Sequence, residues 1–160
     1  MKKVAITGGG GYIGGQTAIY FKEQGWEVTV VDRHNLPKRL EPFVDKFLHD
    51  EFHNQDALKQ YAHVDSIIHC AGSSLVGPSI KNPSQYYENN FIATKKMLDY
   101  LCQYGYHPKV VFSSSAAVYG NPIAIPIAEE DPKLPISPYG ISKHMVEQLL
   151  ETYSEAYGLR

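Results

Sequence analysis

The sequence is poor in cysteine, in long apolar runs and in net charge, and each shortage excludes a class of protein. Two cysteines, Cys70 and Cys102, are too few for a disulfide framework, so we expect reduced thiols in a reducing compartment. No apolar run approaches the ~20 residues that cross a bilayer, and the N-terminus lacks the apolar core and cleavage site of a signal peptide. A formal net charge of −2 gives no reason to expect nucleic acid or an anionic membrane as a partner. We therefore expect a cytoplasmic protein without nucleic-acid or membrane partners.

A glycine-rich turn near the N-terminus lies between a strand pattern, Val4 to Ile6, and a helix pattern, Tyr12 to Gln24. In such a turn Gly8 permits a tight reversal, Gly11 lets the backbone approach a pyrophosphate, and Gly14 lets the helix pack closely on the sheet. The helix start offers unpaired N–H groups and the positive end of its dipole to an anion. The spacing differs by one residue from the G-x-G-x-x-G fingerprint, so a surface turn without a ligand is the alternative.

A second strand pattern, Val28 to Val31, ends in the acidic residue Asp32. A carboxylate at the tip of strand two accepts hydrogen bonds from both ribose hydroxyls of adenosine and repels a 2′-phosphate, which favours NAD over NADP. Arg33 weakens that preference, because a guanidinium can pair with a 2′-phosphate. Together with the glycine turn, this strand end predicts a dinucleotide site.

Three further strand patterns follow, separated by helix patterns. Alternation of this kind predicts an α/β protein with a doubly wound parallel sheet, a Rossmann fold, in strand order 3-2-1-4-5. Ligands of such sheets lie at the carboxyl ends of the strands. The predicted strands cover Phe43–Leu48, Asp65–His69 and Lys109–Ser113, and the predicted helices cover Asp56–Ala62, Ser84–Tyr106 and Pro138–Tyr157, with Asp56 and Ser84 as N-caps.

Two loops and one helical asparagine pair complete the pattern. Ser73 to Pro83 is predicted to be a loop, and so is Asn121 to Pro138, which contains five prolines. A compact domain rarely keeps so long a loop without a function. Asn89 and Asn90 lie inside a predicted helix, where asparagine is a poor helix former, which suggests a specific hydrogen-bonding duty.

Three histidines raise the question of metal binding or base catalysis. His49 and His53 lie four residues apart beside Asp50 and Glu51, but the zincin pattern needs a helix with Glu directly after the first His. We therefore predict no metal, and assign Asp50 to the adenine edge of the cofactor. His69 precedes the end of its strand, so a hydrogen-bonded structural histidine is favoured over a catalytic base.

Tyr139 and Lys143 are four residues apart on a predicted helix and so share one face. An ammonium group near a phenol favours the phenolate and lowers the tyrosine pKa from about 10, and a positive nicotinamide ring acts in the same direction. Tyr139 is thus a candidate base for a substrate hydroxyl, and Ser115 can hydrogen-bond the same oxygen. An exposed Tyr-x-x-x-Lys pair is the commoner case by itself, but the nucleotide turn and the serine-rich strand end favour catalysis.

Six segments of this sequence carry a family resemblance. They are Thr7–Gly14, His69–Gly72, Val76–Ser79, Pro83–Asn90, Phe112–Gly120 and Ser137–Gln148. On these segments the chain resembles the N-terminal half of an extended short-chain dehydrogenase/reductase. Within that group it is most similar to the UDP-glucose (UDP-galactose) 4-epimerases of the NAD-dependent epimerase/dehydratase family.

The resemblance implies roles for the residues on the matching positions. Ser115, Tyr139 and Lys143 form the implied catalytic set, and the same three residues also contact NAD. The other predicted cofactor-binding residues are Gly8, Gly11, Tyr12, Ile13, Gly14, Asp32, Arg33, His34, Asn35, Leu36, Pro37, Asp50, Glu51, Cys70, Ala71, Gly72, Ser73, Ser74 and Asn90.

The resemblance also implies a reaction. Tyr139 takes the proton of the sugar 4-hydroxyl while the C4 hydride passes to NAD⁺, and the 4-keto sugar turns over and receives the hydride on its other face. Relatives that dehydrate nucleotide sugars carry an Asp-Glu pair where this chain has Ala116 and Ala117. A 4,6-dehydratase is therefore disfavoured.

Two departures from the family qualify these expectations. The epimerases carry a lysine at the position of Ser74, and a hydroxyl cannot supply that charge, so we expect NAD to be held less tightly. Family members are also about twice as long. We expect residues 1–160 to form an NAD-binding Rossmann domain, truncated before the sixth strand and lacking the substrate domain, or completed by a partner chain.

Three functions remain open at this point. The first is a nucleotide-sugar 4-epimerase or its N-terminal half, forming a homodimer through the helices that start near Ser84 and Tyr139. The second is a non-catalytic NAD-binding or oligomerisation module. The third is a related NAD enzyme, such as a sugar-nucleotide decarboxylase or reductase.

Overall fold

Five parallel strands form a single sheet in the order 3-2-1-4-5, in a computed structural model that describes residues 1–160. Helices cover both faces, so the predicted doubly wound α/β fold and strand order are confirmed. The strands are β1 (Lys3–Thr7), β2 (Glu27–Asp32), β3 (Lys46–His49), β4 (Ser66–His69) and β5 (Lys109–Phe112).

The register of the sheet brings the strand ends together at one edge. Thr7, the last residue of β1, lies opposite Val31 on β2 and His69 on β4. β1 is buried on both faces, which explains its continuous apolar sequence from Val4 to Ile6. The carboxyl ends of β1, β2 and β4 therefore meet where the glycine turn begins.

The helices pack on the sheet as two layers. The smaller apolar cluster packs α1 on one face through Ala18, and the larger cluster on the other face includes Tyr61, Leu98 and Leu101. No helix combines the length and apolarity that a membrane crossing requires. The helices are α1 (Tyr12–Glu23), α2 (Gln55–Tyr61), α3 (Val76–Lys81), α4 (Pro83–Tyr86), α5 (Ala93–Gln103) and α6 (Pro138–Tyr157), with a π-helical turn at Tyr87–Ile92 and 3₁₀ turns at Lys38–Phe43 and Ala116–Tyr119.

The third strand starts later than predicted. Residues Lys38–Phe43 form a 3₁₀ turn, and β3 begins only at Lys46. The turn buries Leu40 against α1, where a Cβ at Gly15 would lie 2.9 Å from the Leu40 Cδ1 atom. This tertiary contact, which local sequence does not encode, shortens the strand.

Both predicted N-caps were wrong. Asn54 occupies the cap position of α2, and Asp56 lies in the first turn instead. Asn82 precedes α4, and Pro83 takes the first helical position ahead of Ser84, where its missing N–H has no intrahelical partner to lose. Pro138 opens α6 in the same way, as predicted, after the true cap Ser137.

The two predicted loops had different outcomes. The segment from Ser73 to Pro83 contains α3 (Val76–Lys81), so the prediction of an uninterrupted loop was wrong. Residues 121 to 137 contain neither helix nor strand, which confirms the second loop. After α6, residues 159 and 160 lie beside β5. The Val110 N–H donates to the Arg160 carbonyl at 2.7 Å, and Leu159 is buried.

Candidate active site

Steric demands explain the glycines of the N-terminal turn. Gly8 has φ +69°, and a Cβ there would lie 2.7 Å from the Ala71 nitrogen. A Cβ at Gly14 would lie 2.5 Å from the Gly8 oxygen, so this glycine lets α1 pack on the turn itself rather than on the sheet. At Gly11 the nearest atom to a Cβ is the Gly8 oxygen at 3.3 Å, so its side-chain position is otherwise open. Gly8 and Gly14 are thus demanded by packing, whereas Gly11 leaves room beside the turn.

The first turn of α1 presents three unpaired backbone donors. The N–H groups of Tyr12, Ile13 and Gly14 have no acceptor in the protein, and no side chain caps the helix. The first turn also contains no acidic residue that would neutralise the positive end of the helix dipole. These three residues line a cavity, so the arrangement suits an anionic group bound there.

The cavity has a volume of about 590 Å³ and extends along the carboxyl edge of the sheet. It brings together most of the predicted cofactor-binding residues and several that sequence reasoning missed. The predicted residues in its wall are Gly8, Gly11, Tyr12, Ile13, Gly14, Asp32, Arg33, His34, Asn35, Pro37, Asp50, Glu51, Cys70, Ala71, Gly72 and Ser74, and the additional ones are Gly10, Val31, Phe52, His53, Asn89, Ala93 and Ser113.

Six predicted site residues lie outside the cavity wall. Leu36 and Ser73 flank wall residues along the chain, and Asn90 lies one residue from Asn89. The predicted catalytic residues Ser115, Tyr139 and Lys143 are also absent from the wall. The nucleotide cavity and the catalytic set are therefore neighbouring features rather than one enclosed pocket.

Asp32 ties the second strand to the glycine turn. Its Oδ2 accepts the Gly10 N–H at 2.9 Å, and its Oδ1 accepts the His34 N–H at 2.9 Å and lies 3.3 Å from the His34 Nδ1 atom. A carboxylate offers about four acceptor positions, so these contacts leave capacity for a ligand hydroxyl. The run of four glycines gave no sign that Gly10 would bind Asp32.

Asp50 lies next to Asp32 at the end of β3. Its backbone N–H donates to the Asp32 carbonyl at 3.1 Å, which fixes the two strand ends side by side. Its Oδ1 accepts the Glu51 N–H at 2.8 Å and the Asn54 Nδ2 at 2.6 Å. The Oδ2 atom has no protein donor and can accept a hydrogen bond from a ligand.

The paired histidines nearby have separate environments. His49 Nε2 donates to the Arg33 carbonyl at 2.9 Å, and its ring stacks on Phe47. His53 has a buried Nδ1 without a hydrogen-bond partner, and burial lowers its pKa, with the charge of Lys96 acting the same way. No group of three or more His, Cys, Asp or Glu side chains is placed to hold a metal ion.

His69 is a buried structural histidine, as predicted. The Thr94 hydroxyl donates to the Asn90 carbonyl at 2.5 Å, so it accepts from His69 Nε2 at 2.8 Å. His69 Nδ1 then accepts from the Thr7 hydroxyl at 2.6 Å. Burial lowers the pKa of His69 to about 3, assisted by the charge of Lys143, so the ring stays neutral. Both nitrogens are occupied, which leaves none for base catalysis.

Asn90 has the specific hydrogen-bonding duty that its helical position suggested. Its Oδ1 accepts the Ser73 N–H at 2.7 Å, and its Nδ2 donates to the Ser73 carbonyl at 3.0 Å and to the Ser142 Oγ at 2.9 Å. Gly72, with φ +148°, leaves room for this amide, because a Cβ there would lie 2.8 Å from Asn90 Oδ1. Asn90 thus joins the loop after β4 to α6 from within a π-helical turn, a feature frequent at functional sites.

The predicted catalytic residues come from the end of β5 and the first turns of α6. Tyr139 is buried, and its ring packs edge-on to Tyr86 with centroids 6.4 Å apart. Ser115 Oγ accepts the Ala117 N–H at 3.2 Å, which leaves its own hydroxyl hydrogen available. A hydrogen bond from Lys143 to the Ser113 carbonyl joins the segment after β5 to α6.

Lys143 lies behind the cavity wall. Its Nζ donates to the carbonyl of Ser113, a wall residue, at 2.8 Å, and lies 4.6 Å from the centroid of the Phe112 ring. Burial, with no carboxylate to offset it, lowers the pKa of Lys143 to about 8. A partly desolvated ammonium group is therefore held one peptide unit from the cavity.

Comparison with known proteins shows which family has this fold and these motifs. Residues 4–160 match the NAD dependent epimerase/dehydratase family. The chain belongs to this family. The glycine turn and the Tyr139 helix both fall inside the matched range.

Proteins of the epimerase/dehydratase family resemble the chain over nearly all of its length. The UDP-glucose 4-epimerase of Halalkalibacterium halodurans is 41% identical over 98% of this chain, and that of Lacticaseibacillus casei is 36% identical over 98%. These alignments cover 48% of each relative, so the chain spans about half the length of the curated relatives it matches.

Solved structures show the same relation. The UDP-glucose 4-epimerase of Brucella ovis in complex with NAD aligns with a TM-score of 0.91 at 34% identity, covering 100% of this chain and 50% of that protein. The UDP-glucose 4-epimerase of Bifidobacterium longum in complex with NAD⁺ and UDP aligns with a TM-score of 0.88 at 33% identity. This alignment covers 97% of this chain and 50% of that protein.

Proposed function

We propose that this chain binds NAD in the cavity and carries the catalytic residues of an epimerase acting at C4 of UDP-glucose and UDP-galactose. One observation carries the proposal. The cavity runs from the unpaired N–H groups of α1 to Ser113, whose carbonyl binds the Lys143 ammonium group. Membership of the family and relatives named UDP-glucose 4-epimerase support the choice of reaction.

The residues of the cavity fit NAD. The N–H groups of Tyr12, Ile13 and Gly14 would hold the pyrophosphate, next to the open side-chain position of Gly11. Asp32 would accept from the adenosine ribose, and the free Oδ2 of Asp50 would accept from the adenine amino group. The segment from Cys70 to Ser74 would border the nicotinamide half.

The catalytic residues fit proton transfer at the sugar. NAD, when bound, supplies the hydride acceptor and donor. The Tyr139 phenol would take the proton of the 4-hydroxyl and return it after the keto sugar has turned over. Lys143 would favour the phenolate, and the free hydroxyl hydrogen of Ser115 would bond the same sugar oxygen. Because Ala116 and Ala117 carry no acid or base, elimination of water is not part of the proposal.

Two parts of the proposal concern affinity and assembly. Ser74 lines the cavity without a positive charge, so NAD would be held less tightly than by relatives that carry lysine there. A homodimer would form through the continuous helix α4–α5 and through α6, which are already joined within one chain by the Tyr153–Asp99 hydrogen bond. The substrate-binding part is proposed to lie outside residues 1–160, because the chain spans about half of its relatives.

The half-length match also favours a second candidate, a non-catalytic NAD-binding module. Calorimetric titration with NAD⁺ and an assay of UDP-galactose conversion to UDP-glucose separate the two. NAD⁺ binding supports the epimerase if it comes with turnover, by the chain alone or together with the substrate-binding part outside residues 1–160, that falls by about 100-fold or more in Tyr139→Phe. Binding without turnover in either setting supports the module. Absence of binding at millimolar NAD⁺ would exclude both, and an undiminished rate in Tyr139→Phe would remove the proposed base.

A further inference from the structure

An ion pair crosses the adenosine end of the cavity. Arg33 follows β2 and Glu51 follows β3, and both residues line the cavity. Arg33 Nη1 lies 3.7 Å from Glu51 Oε1, with side chains 47% and 40% exposed. Neither residue makes a second ion pair, so each charge is directed at the other.

The backbone around this pair is fixed. The Arg33 carbonyl accepts from His49 Nε2 at 2.9 Å, which ties the residue after β2 to the last residue of β3. The Asp50 N–H to Asp32 carbonyl bond sets the spacing of the two strand ends. The ends of β2 and β3 therefore set the backbone positions from which Arg33 and Glu51 extend, and the two side chains pair across them.

The charged side chains at this end of the cavity have opposite effects on the choice between NAD and NADP. Asp32 disfavours a 2′-phosphate, while the adjacent Arg33 is the type of residue that binds one. Sequence alone leaves the outcome open. Glu51 changes the balance, because it pairs with Arg33, the only Lys or Arg in the cavity wall, and adds a third carboxylate beside Asp32 and Asp50.

We infer that Glu51 is a specificity-determining residue, which engages Arg33 and thereby prevents it from recruiting the 2′-phosphate of NADP. The inference rests on the proposed NAD site and deepens it. With Glu51 in place, the cavity selects the dinucleotide that has a free ribose 2′-hydroxyl. Without it, Arg33 becomes free to pair with a phosphate dianion.

The test is a calorimetric titration of the chain with NAD⁺ and with NADP⁺. Glu51→Gln keeps the size of the side chain and removes its charge. Because both side chains are partly exposed, we expect the ratio of NADP⁺ affinity to NAD⁺ affinity to rise by about 5-fold. Glu155→Gln is the control. Glu155 is exposed on α6 outside the cavity wall, so this substitution makes the same change in net charge and is expected to alter neither affinity.

Arg33→Gln completes a double-mutant cycle. If Glu51 acts by engaging Arg33, the gain in NADP⁺ affinity largely disappears in the double variant. A gain of equal size with and without Arg33 would overturn the inference, and so would an unchanged NADP⁺/NAD⁺ ratio in Glu51→Gln. Should Glu51→Gln fail to fold, Glu51→Asp lengthens the pair and is expected to shift the ratio in the same direction. Failure of the unaltered chain to bind NAD⁺ would instead reject the proposed function.

Discussion

Single buried polar groups in this molecule carry measurable consequences, and Lys143 is the clearest case. The residue is 4% exposed, and its ammonium group contacts one carbonyl and one aromatic ring, with no carboxylate to compensate its desolvation. Burial lowers the pKa to about 8 from 10.5. The charge proposed to favour the Tyr139 phenolate is therefore present at neutral pH at a cost to stability.

This cost predicts a pH dependence of folding. Between pH 8 and 10.5 the unfolded chain keeps a proton on Lys143 that the folded chain has lost, so this residue's contribution to stability improves as pH rises. Lys143→Met removes the titration. We expect its free energy of unfolding, relative to the unaltered chain, to fall by up to about 3 kcal/mol from pH 7 to pH 10.5. Urea denaturation at the two pH values measures this, and a constant difference would contradict it.

The glycines predict a second outcome at the residue scale. Gly14→Ala places a Cβ 2.5 Å from the Gly8 oxygen, and we expect a loss of about 1–3 kcal/mol in unfolding free energy, together with loss of NAD⁺ binding. Gly77→Ala is the matched control, because a Cβ there meets nothing within 4 Å in α3. It should be neutral or stabilise by up to about 1 kcal/mol. Equal effects of the two substitutions in denaturant titrations would refute this account of the turn.

At the scale of elements, the π-helical turn between α4 and α5 holds the site together. Asn90 within it makes hydrogen bonds to the Ser73 backbone and to Ser142 on α6. Thr94, one turn later, continues the contact to His69 on β4. The turn therefore couples the loop after β4 to the helix that carries Tyr139 and Lys143.

Removing the Asn90 amide tests this coupling. Asn90→Ala leaves the half-buried Ser73 N–H and carbonyl without partners and removes the donor to the buried Ser142 hydroxyl, so we expect a loss of about 3 kcal/mol in unfolding free energy. Asn89→Ala removes only the bond to the Ser73 hydroxyl and should cost about 1 kcal/mol. Thermal or urea unfolding of both variants compares them, and a smaller loss for Asn90→Ala than for Asn89→Ala would be incompatible with the coupling.

Sequence reasoning succeeded where local pattern and fold agree. The apolar strands and their alternation with helices predicted the sheet order, and Pro138 marked the start of α6. It failed where tertiary contacts override propensity, as in α3, which contains Gly77 and Pro78 yet forms a helix that buries Ser79.

The same limit applied to the candidate site. Residue types at strand ends predicted that Asp32 and Asp50 would lie together, because the carboxyl ends of parallel strands share one edge, and both line the cavity. The contacts of Gly10 with Asp32 and of Glu51 with Arg33 depend on side-chain placement across strands, which no spacing in the sequence encodes.

At the scale of the whole molecule, the loop before α6 carries unusual apolar exposure. In the loop from residue 121 to 137, Ile123 is 91% exposed, Ile125 is 88% exposed and Leu134 and Ile136 are each 69% exposed. Val111 on the edge strand β5 is 46% exposed as well. Clustered exposed apolar side chains favour association with another surface.

We therefore expect this loop to promote association in addition to the homodimer proposed through α4–α5 and α6. Light scattering should give a mass that rises with concentration above the 17.9 kDa of one chain. Replacing Ile123 and Ile125 with Ser should reduce the mass at a given concentration, whereas replacing exposed Tyr20 on α1 with Ser should not. A mass that stays at one chain throughout, or one unaffected by the loop substitutions, would show that the loop does not drive association.

A crystal structure of the chain grown with NAD⁺ tests the central claim most directly. The account predicts the pyrophosphate on the N–H groups of Tyr12 and Ile13, the adenosine ribose at Asp32, and the nicotinamide ring facing the Tyr139 phenol. An empty cavity at saturating NAD⁺, or a bound dinucleotide whose nicotinamide points away from Tyr139, would contradict it.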